Sequence, residues 1–586
     1  MTPAAEARGW RRFVPIAFWL TSYEQGYLAA DIVAALTVWA LMVPEAMAYA
    51  SLARMPPETG LYGALVAPLA YAVFGTSRQL NVGPSSTVAI LSASVVAPLA
   101  ASGDPTLFAQ LTVGLAVLVG ALFVVAGLVR LGFLADFMSR PVLDGFIVGL
   151  AMTVAAGQLH KLLGIEASGD AFFSDLLAVL TNLDETVAAT LAVGVGSLVL
   201  LFLLGRLLPR LPAALVVAGL AIVVVSVLDL AARDVAVIGE IPARLPSLAW
   251  PALSFEQWIR LIPGALAIVV IGFAESVAVG RSYARRHGHV VDADQEMVAL
   301  GAANAASGLV GSFVVDGSLS KTAAADAAGQ KTQLASVALS AAVLIAILFL
   351  TGLFENLPEA TLAAIVIHAV WHLIDLERVA RFWTIRRDDF WAGLTALVGV
   401  LLFGILTGLL IAVAVSFLLV LARVSRPPWG ILGRVEAEGA DDIAYHRIET
   451  HPDAATVPGL LIVRFDADLF FANANVFAAD VRTAIATTQP TPRVVLLNAE
   501  SINDIDATAV GVLKELAEEL REAGIELWAA RVKTRVQELM ARLGVLEDAP
   551  IYPSIRSAVG ALERLPKETS GNHEAAGPHG DVSPEG

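Results

Sequence analysis

The chain has 586 residues, of which 57% are hydrophobic and only 16% charged, with no cysteine and a formal net charge of −16. A mean hydropathy of +0.72 is too apolar for a fold that must cover itself with polar surface in water, so composition points to a polytopic membrane protein. The missing cysteines exclude disulfides, thiol catalysis and Cys-ligated metals. Most of the excess acid lies after residue 430, so whole-chain charge says little about what the apolar part handles.

The first residues carry Arg8, Arg11 and Arg12 but no apolar run ending in a small-residue cleavage site, so 1–28 reads as a cytoplasmic segment rather than a secretory signal. Apolar runs then predict spans near 29–50, 60–75, 84–101, 107–131, 140–160, 187–207, 212–230, 260–282, 294–313, 318–328, 333–353, 358–375, 388–407 and 408–424, about fourteen in all and two of them short. Threaded this way, most flanking basic residues, among them Arg78, Arg140, Arg206, Arg281, Arg285, Arg286, Arg386, Arg387 and Arg423, gather on the side of the N-terminus. The positive-inside rule then places both termini in the cytoplasm of a cell with this chain in its inner (plasma) membrane.

One arrangement inside the apolar part occurs twice. Val43-Pro44-Glu45-Ala46-Met47-Ala48-Tyr49-Ala50 is followed about forty positions later by Val82-Gly83-Pro84-Ser85-Ser86-Thr87, and Phe273-Ala274-Glu275-Ser276 is followed in the same way by Asp316-Gly317-Ser318-Leu319-Ser320-Lys321-Thr322. Each second segment is a glycine followed by hydroxyl residues suited to capping a helix. In two halves inverted across a membrane, such half-helices meet N-terminus to N-terminus near the midplane, where free N–H groups and positive dipole ends hold an anion. The competing reading makes Gly83 and Gly317 ordinary loop glycines. Lys321, one step inside the second half-helix, needs a partner at that depth: an anionic substrate, or a carboxylate such as Asp326 or Glu275.

Past Arg426-Pro427-Pro428 the composition becomes that of a soluble domain. Strands are predicted at Leu460-Leu461-Ile462-Val463-Arg464-Phe465, Arg493-Val494-Val495-Leu496-Leu497-Asn498 and Ile525-Glu526-Leu527-Trp528-Ala529, with helices near 475–488, 507–523, 533–543 and 554–564. The alternation gives a small α/β domain over 440–565. The tail from 566 to 586, rich in Gly, Glu, His and Pro, is expected to be disordered.

Three blocks carry a family resemblance: the Glu45 segment with Met55-Pro56-Pro57-Glu58-Thr59-Gly60-Leu61-Tyr62 and Phe74-Gly75-Thr76-Ser77-Arg78-Gln79-Leu80-Asn81-Val82-Gly83-Pro84; then Ser139-Arg140-Pro141-Val142-Leu143-Asp144-Gly145-Phe146; then Asp294-Gln295-Glu296 and Gly329-Gln330-Lys331-Thr332-Gln333-Leu334. In this order they resemble the sulfate permease (SulP) anion transporters, and the soluble part, with Arg464-Phe465-Asp466 and Leu469-Phe470-Phe471-Ala472-Asn473-Ala474, resembles their cytoplasmic sulfate-transporter and anti-sigma-antagonist (STAS) domain. The resemblance implies a seven-plus-seven inverted repeat over 29–426 split into core and gate subdomains. It further implies an anion held between the third and tenth helices, elevator-type movement of core against gate, and a homodimer.

On that resemblance the anion site comprises Glu45, Tyr49, Ser85, Ser86, Thr87, Ser320, Lys321 and Thr322, and Glu275 falls on the acidic position that many bacterial members link to proton or sodium coupling. Three residues depart from the usual pattern: Glu45 stands where Gln is usual, Lys321 where Arg is frequent and Asp326 where Asn is frequent. An ionised Glu45 repels a dianion, so it is protonated during binding, pairs with Lys321, or marks an atypical substrate. Asp506-Ala507-Thr508 resembles the phosphorylated loop of soluble anti-sigma-factor antagonists, with Thr508 on the hydroxyl position, although helix capping alone accounts for it. Asp144 and Asp326 have no assigned role. Neither a metal-ligand cluster, a nucleotide-binding glycine loop nor a catalytic triad is present in the sequence, so no enzyme activity, cofactor or nucleic-acid partner is expected. The expected function is secondary transport of an anion: sulfate first, with bicarbonate or a dicarboxylate as alternatives, and an anion sensor signalling through the C-terminal domain as the reading of a different class.

Overall fold

The computed structural model describes residues 14–564 apart from 22, 101–103, 134–138, 166–171, 209–210, 249, 372, 437–442 and 543–548. The expected tail from 566 and the first thirteen residues therefore lie outside the described residues. The chain divides into two compact units, Met1–Phe417 and Leu418–Gly586.

In the first unit a short helix α1 (Ile16–Trp19) precedes α2 (Leu28–Leu52), α3 (Pro57–Phe74), a strand β1 (Asn81–Gly83), α4 (Ser86–Val96), α5 (Pro105–Leu128), α6 (Arg140–Leu163), α7 (Phe172–Thr181), α8 (Ala188–Leu207) and α9 (Ala213–Val227). The second half repeats the order: α10 (Phe255–Arg286), α11 (Ala293–Leu309), β2 (Asp316–Ser318), α12 (Leu319–Ala327), α13 (Leu334–Ile345, continued by a π turn and a 3₁₀ turn to Phe354), α14 (Glu359–Trp371), α15 (Leu376–Ile385), α16 (Arg387–Phe403) and α17 (Ile405–Ser425). Eight helical stretches among the described residues are long and apolar enough to cross a membrane. The half-helices α4 and α12 are short, and each follows its strand within three residues. Counting them, and leaving aside the four-residue α1 and the ten-residue α7 and α15, fourteen helices among the described residues form two repeats of seven.

Packing sorts these helices into two groups. α2 to α5 pack with α10 to α13, and α6 to α9 pack with α14 and α16, so each repeat contributes to both a core and a gate subdomain. Close helix contact rests on glycine where a side chain has no room. A Cβ on Gly60 of α3 would lie 2.0 Å from the Ala46 carbonyl oxygen of α2, and one on Gly145 of α6 would lie 2.0 Å from the Gly393 carbonyl oxygen of α16. Large apolar side chains such as Leu203, Val227, Phe349 and Phe403 are exposed on the outer helices, as a lipid-facing surface requires.

Two elements were not expected from the sequence. α7 and α15 follow the matching helices α6 and α14 of the two repeats, and at ten residues they are too short to register as spans. The third difference is in the second unit, whose sheet has the order β4-β3-β5-β6-β7-β8 and begins with β3 (Trp429–Glu436) and β4 (Ile443–Arg447). The expected start of the soluble domain at 440 thus cuts off its first strand. Gly430 and Gly433 interrupt the apolar run of β3, which hides it from a periodicity reading.

β3 runs antiparallel to β4 and to β5 (Leu460–Phe465), while β5, β6 (Val494–Asn498), β7 (Glu526–Ala530) and β8 (Ile551–Tyr552) are mutually parallel. Helices α18 (Ala474–Thr487), α19 (Ala507–Glu522) and α20 (Thr534–Arg542) supply Phe477, Leu513, Leu516 and Met540 to the core on one face. α21 (Ile555–Leu562) covers Trp528 and Leu496 on the other. The Asp466 carboxylate at the end of β5 is pushed up by burial, but hydrogen bonds from Arg464 and Ser501, with the Arg447 charge, hold it below the usual carboxylate range.

Candidate anion site

β1 and β2 pair antiparallel, with Asn81 opposite Ser318, Val82 opposite Gly317 and Gly83 opposite Asp316. This ladder joins the two repeats and aims α4 and α12 from its two ends. Gly83 and Gly317 are not loop glycines: a Cβ on Gly83 would meet the Met42 Cε at 2.9 Å, and one on Gly317 would meet the Leu80 Cδ1 at 2.9 Å and the Ser276 Cβ at 3.0 Å. The Gly317 amide donates to the Ser276 Oγ at 2.8 Å, tying the ladder to α10 beside Glu275.

Lys321 is 1% exposed and has three partners. Its Nζ lies 3.1 Å from the Glu45 Oε2, donates to the Pro84 carbonyl oxygen at 2.9 Å, and stands 5.1 Å from the centroid of the Tyr49 ring. The helix α2 brings Glu45 and Tyr49 to the same face one turn apart, and the strand ladder brings Pro84 and Lys321 together across 237 positions of sequence. Lys321 is therefore partnered by Glu45. Asp326, the alternative, is taken by Arg286 at 2.8 Å and by the His287 ring at 2.5 Å.

At the head of α4 the capping residue Ser85 makes no side-chain cap, and its hydroxyl has no partner among the described residues. Ser86 and Thr87 are buried in the first turn. The head of α4 is thus left without a side-chain cap, one residue after the Pro84 carbonyl to which Lys321 donates. α12 is capped by Ser318, whose Oγ accepts from the Lys321 amide at 3.5 Å. Ser320 is exposed on the same turn, 3.1 Å from the Ser318 Oγ. Thr322 points elsewhere: fully buried, its Oγ1 accepts from the Asn81 amide at 3.0 Å and so holds β1 to α12. Glu275 is partly accessible and interacts electrostatically with Asp316.

In the sequence Asp316 stands out only as the start of a motif. The structure makes it part of the cluster: it is 1% exposed and neither carboxylate oxygen has a hydrogen-bond partner among the described residues. The blocks that carry the family resemblance form the scaffold beneath. The Glu296 carboxylate accepts from the Tyr71 hydroxyl at 2.6 Å and from the Thr76 and Ser77 amides at 2.7 and 3.2 Å. Gln333 Nε2 donates to the Ser77 and Leu80 carbonyls at 2.9 Å each, Gln330 Oε1 accepts from Asn81 Nδ2 at 3.0 Å, and Asp31 accepts from the Lys331 and Thr332 amides. Away from the site, Asp144 lies 3.9 Å from Arg378. Thr508 is exposed in the first turn of α19, where Asp506 caps the helix by accepting from the Ala509 amide at 2.8 Å.

Residues 28–396 match the sulfate permease family, and residues 451–558 match the STAS domain. The chain belongs to the sulfate permease family. Among relatives of this family, a probable sulfate transporter of Mycobacterium tuberculosis is 38% identical over 568 residues, covering 96% of this chain and 100% of the relative. High affinity sulfate transporter 1 of Stylosanthes hamata is 30% identical over 544 residues, covering 89% and 81%. The murine Solute Carrier 26 family member A9 anion transporter, solved in an inward-facing state, shares the fold with a TM-score of 0.88 at 23% identity over 96% of each chain. The transmembrane domain of the cyanobacterium bicarbonate transporter BicA shares it with a TM-score of 0.59 at 22% identity over 67% of this chain and 98% of that one. Membership of this family makes the sulfate permease chain a multi-pass membrane transporter of anions.

Proposed function

We propose that this sulfate permease carries sulfate, driven by protons, with Lys321 and the N-terminus of α4 as the anion-binding groups and Glu275 as the group that takes the coupling proton. The observation that carries the reading is a buried ammonium, Lys321, fixed between the starts of two half-helices from opposite repeats. A cation at membrane depth needs an opposing charge, and an anion delivered there gains both the ammonium and the free N–H groups. Glu45 supplies that opposing charge at rest. For a dianion to take its place on Lys321, Glu45 must swing away or accept a proton, because two anionic groups on one ammonium repel each other.

The two packing groups support an elevator-type cycle in which the core helices, with the strand ladder and Lys321, move against the gate helices. Residence in the plasma membrane with both termini cytoplasmic, and assembly as a homodimer, complete the proposal. Uptake of labelled sulfate, bicarbonate and succinate into proteoliposomes, with and without an inward proton or sodium gradient, tests it. Sulfate uptake accelerated by the proton gradient is expected. Preference for either other anion would overturn the substrate assignment, and binding without flux would favour a sensor.

A further inference from the structure

Asp316 has no part in the mechanism proposed above, and its position calls for one. β2 holds it in register opposite Gly83, between the starts of α4 and α12, and its neighbour Gly317 is bonded to Ser276 one residue after Glu275. A Cβ on Gly272, one turn before Glu275, would come within 3.8 Å of the Asp316 Cβ, so the side chain lies directly against that face of α10. The titratable and charged groups facing it are Tyr49 from α2, Glu275 from α10 and Lys321 from α12; the Ser85 hydroxyl at the head of α4 lies near it, outside hydrogen-bonding geometry. Glu45 joins the cluster through Lys321.

A buried carboxylate and a partly accessible one packed side by side do not both ionise readily, since each charge raises the energy of the other and little water screens them. The favourable neighbours are unequally shared. Asp316 lies beside the starts of α4 and α12 and on the side of the buried Lys321 ammonium, whereas the charge that Glu275 meets is that of Asp316 itself. This placement favours the negative charge at Asp316 and the proton at Glu275, the more accessible of the two.

We propose that Asp316 is a positioning residue for the coupling proton: its fixed charge keeps the proton on Glu275 and so sets the pH range over which uptake responds to a gradient. The proposal rests on Glu275 being the proton carrier, and it adds a residue that touches neither the anion nor the transported proton. In this proposal Glu275 gains a proton from outside and loses it inside, and Asp316 carries none across.

The test is the initial rate of sulfate uptake into proteoliposomes against external pH, from about 5 to 8, for the wild type, Asp316→Asn and Asp316→Glu. Asp316→Asn is expected to move the midpoint to lower pH by about one unit or more, the usual effect of removing one close like charge, while the KM for sulfate at saturating proton concentration changes less. Asp316→Glu keeps the charge and is expected to keep the wild-type midpoint. Should Asp316→Asn not reach the membrane, Asp316→Ser supplies the neutral comparison, with sulfate–sulfate exchange at equal pH showing that the protein is folded. A wild type that follows the gradient with an unmoved midpoint in the neutral variants overturns the role of Asp316 and leaves proton coupling intact. A wild type that ignores the proton gradient overturns the coupling itself.

Discussion

Lys321 is a point charge with no bidentate fork, so it attracts an anion without dictating its shape. Its pairing with Glu45 changes what a single substitution means. Lys321→Ala is expected to weaken sulfate binding by about tenfold or more, but it also strands a buried carboxylate, a loss of about 3–5 kcal/mol in stability. The double variant Glu45→Gln with Lys321→Met separates the two effects: its thermal midpoint is expected to recover while equilibrium sulfate binding does not. Recovery of binding in the double variant would place the anion elsewhere. Glu45→Gln alone removes the competitor for Lys321 and is expected to shift the pH optimum of uptake upward with coupling retained, as read from rates across a pH series. Charges inside apolar runs stand out in a sequence, which is why Glu45, Glu275 and Lys321 were legible. The Glu45–Lys321 pair was one of three readings the sequence left open, and the packing of α12 on α2 across 276 positions decides it. Asp316 sits in a stretch that reads as a turn, and nothing in its spacing marks it as buried.

The half-helices are placed by the β1–β2 ladder and by the polar scaffold around it, so residues that look like ligands from sequence can be struts. Thr322 is the clearest case. Thr322→Val is expected to leave the Asn81 amide buried without an acceptor, a loss of about 1–3 kcal/mol seen as a lower melting temperature, with sulfate affinity changed far less. A large fall in affinity at unchanged stability would return Thr322 to the binding site. The long helices were readable from apolar runs of the right length, and even the two short ones from glycine followed by hydroxyls. The three-residue strands were not, since their pairing is non-local and they carry no alternation. In the soluble unit, Asp466 is bonded at the end of β5 by Arg464, Arg447 and Ser501. Its folded value lies below the unfolded one, so its contribution to stability is present above the ordinary carboxylate range and is lost as pH falls through the depressed value. Unfolding of the wild type and of Asp466→Asn should therefore differ at pH 7 and converge at acid pH; a constant difference would assign the effect to packing.

At the scale of the whole molecule, the proposed cycle uses the duplicated order of core helices followed by gate helices to present one buried site to two sides, and the family match extends through both units. The repeat was visible in sequence because carboxylate, glycine and hydroxyls recur at matched spacing, whereas the division into core and gate emerges only from packing. In the soluble unit the exposed Thr508 beside the Asp506 cap motivates a regulatory test: Thr508→Glu is expected to change the uptake rate more than the sulfate affinity, and an unchanged rate would leave the loop a helix start only. The central claim is that a proton on Glu275 accompanies the anion held by Lys321. Sulfate uptake into proteoliposomes with an imposed inward proton gradient, compared between the wild type and Glu275→Gln, tests it most directly. The account predicts that the gradient accelerates the wild type and leaves Glu275→Gln unaffected, while sulfate–sulfate exchange persists in both. Equal acceleration of the two, or of neither, would contradict it.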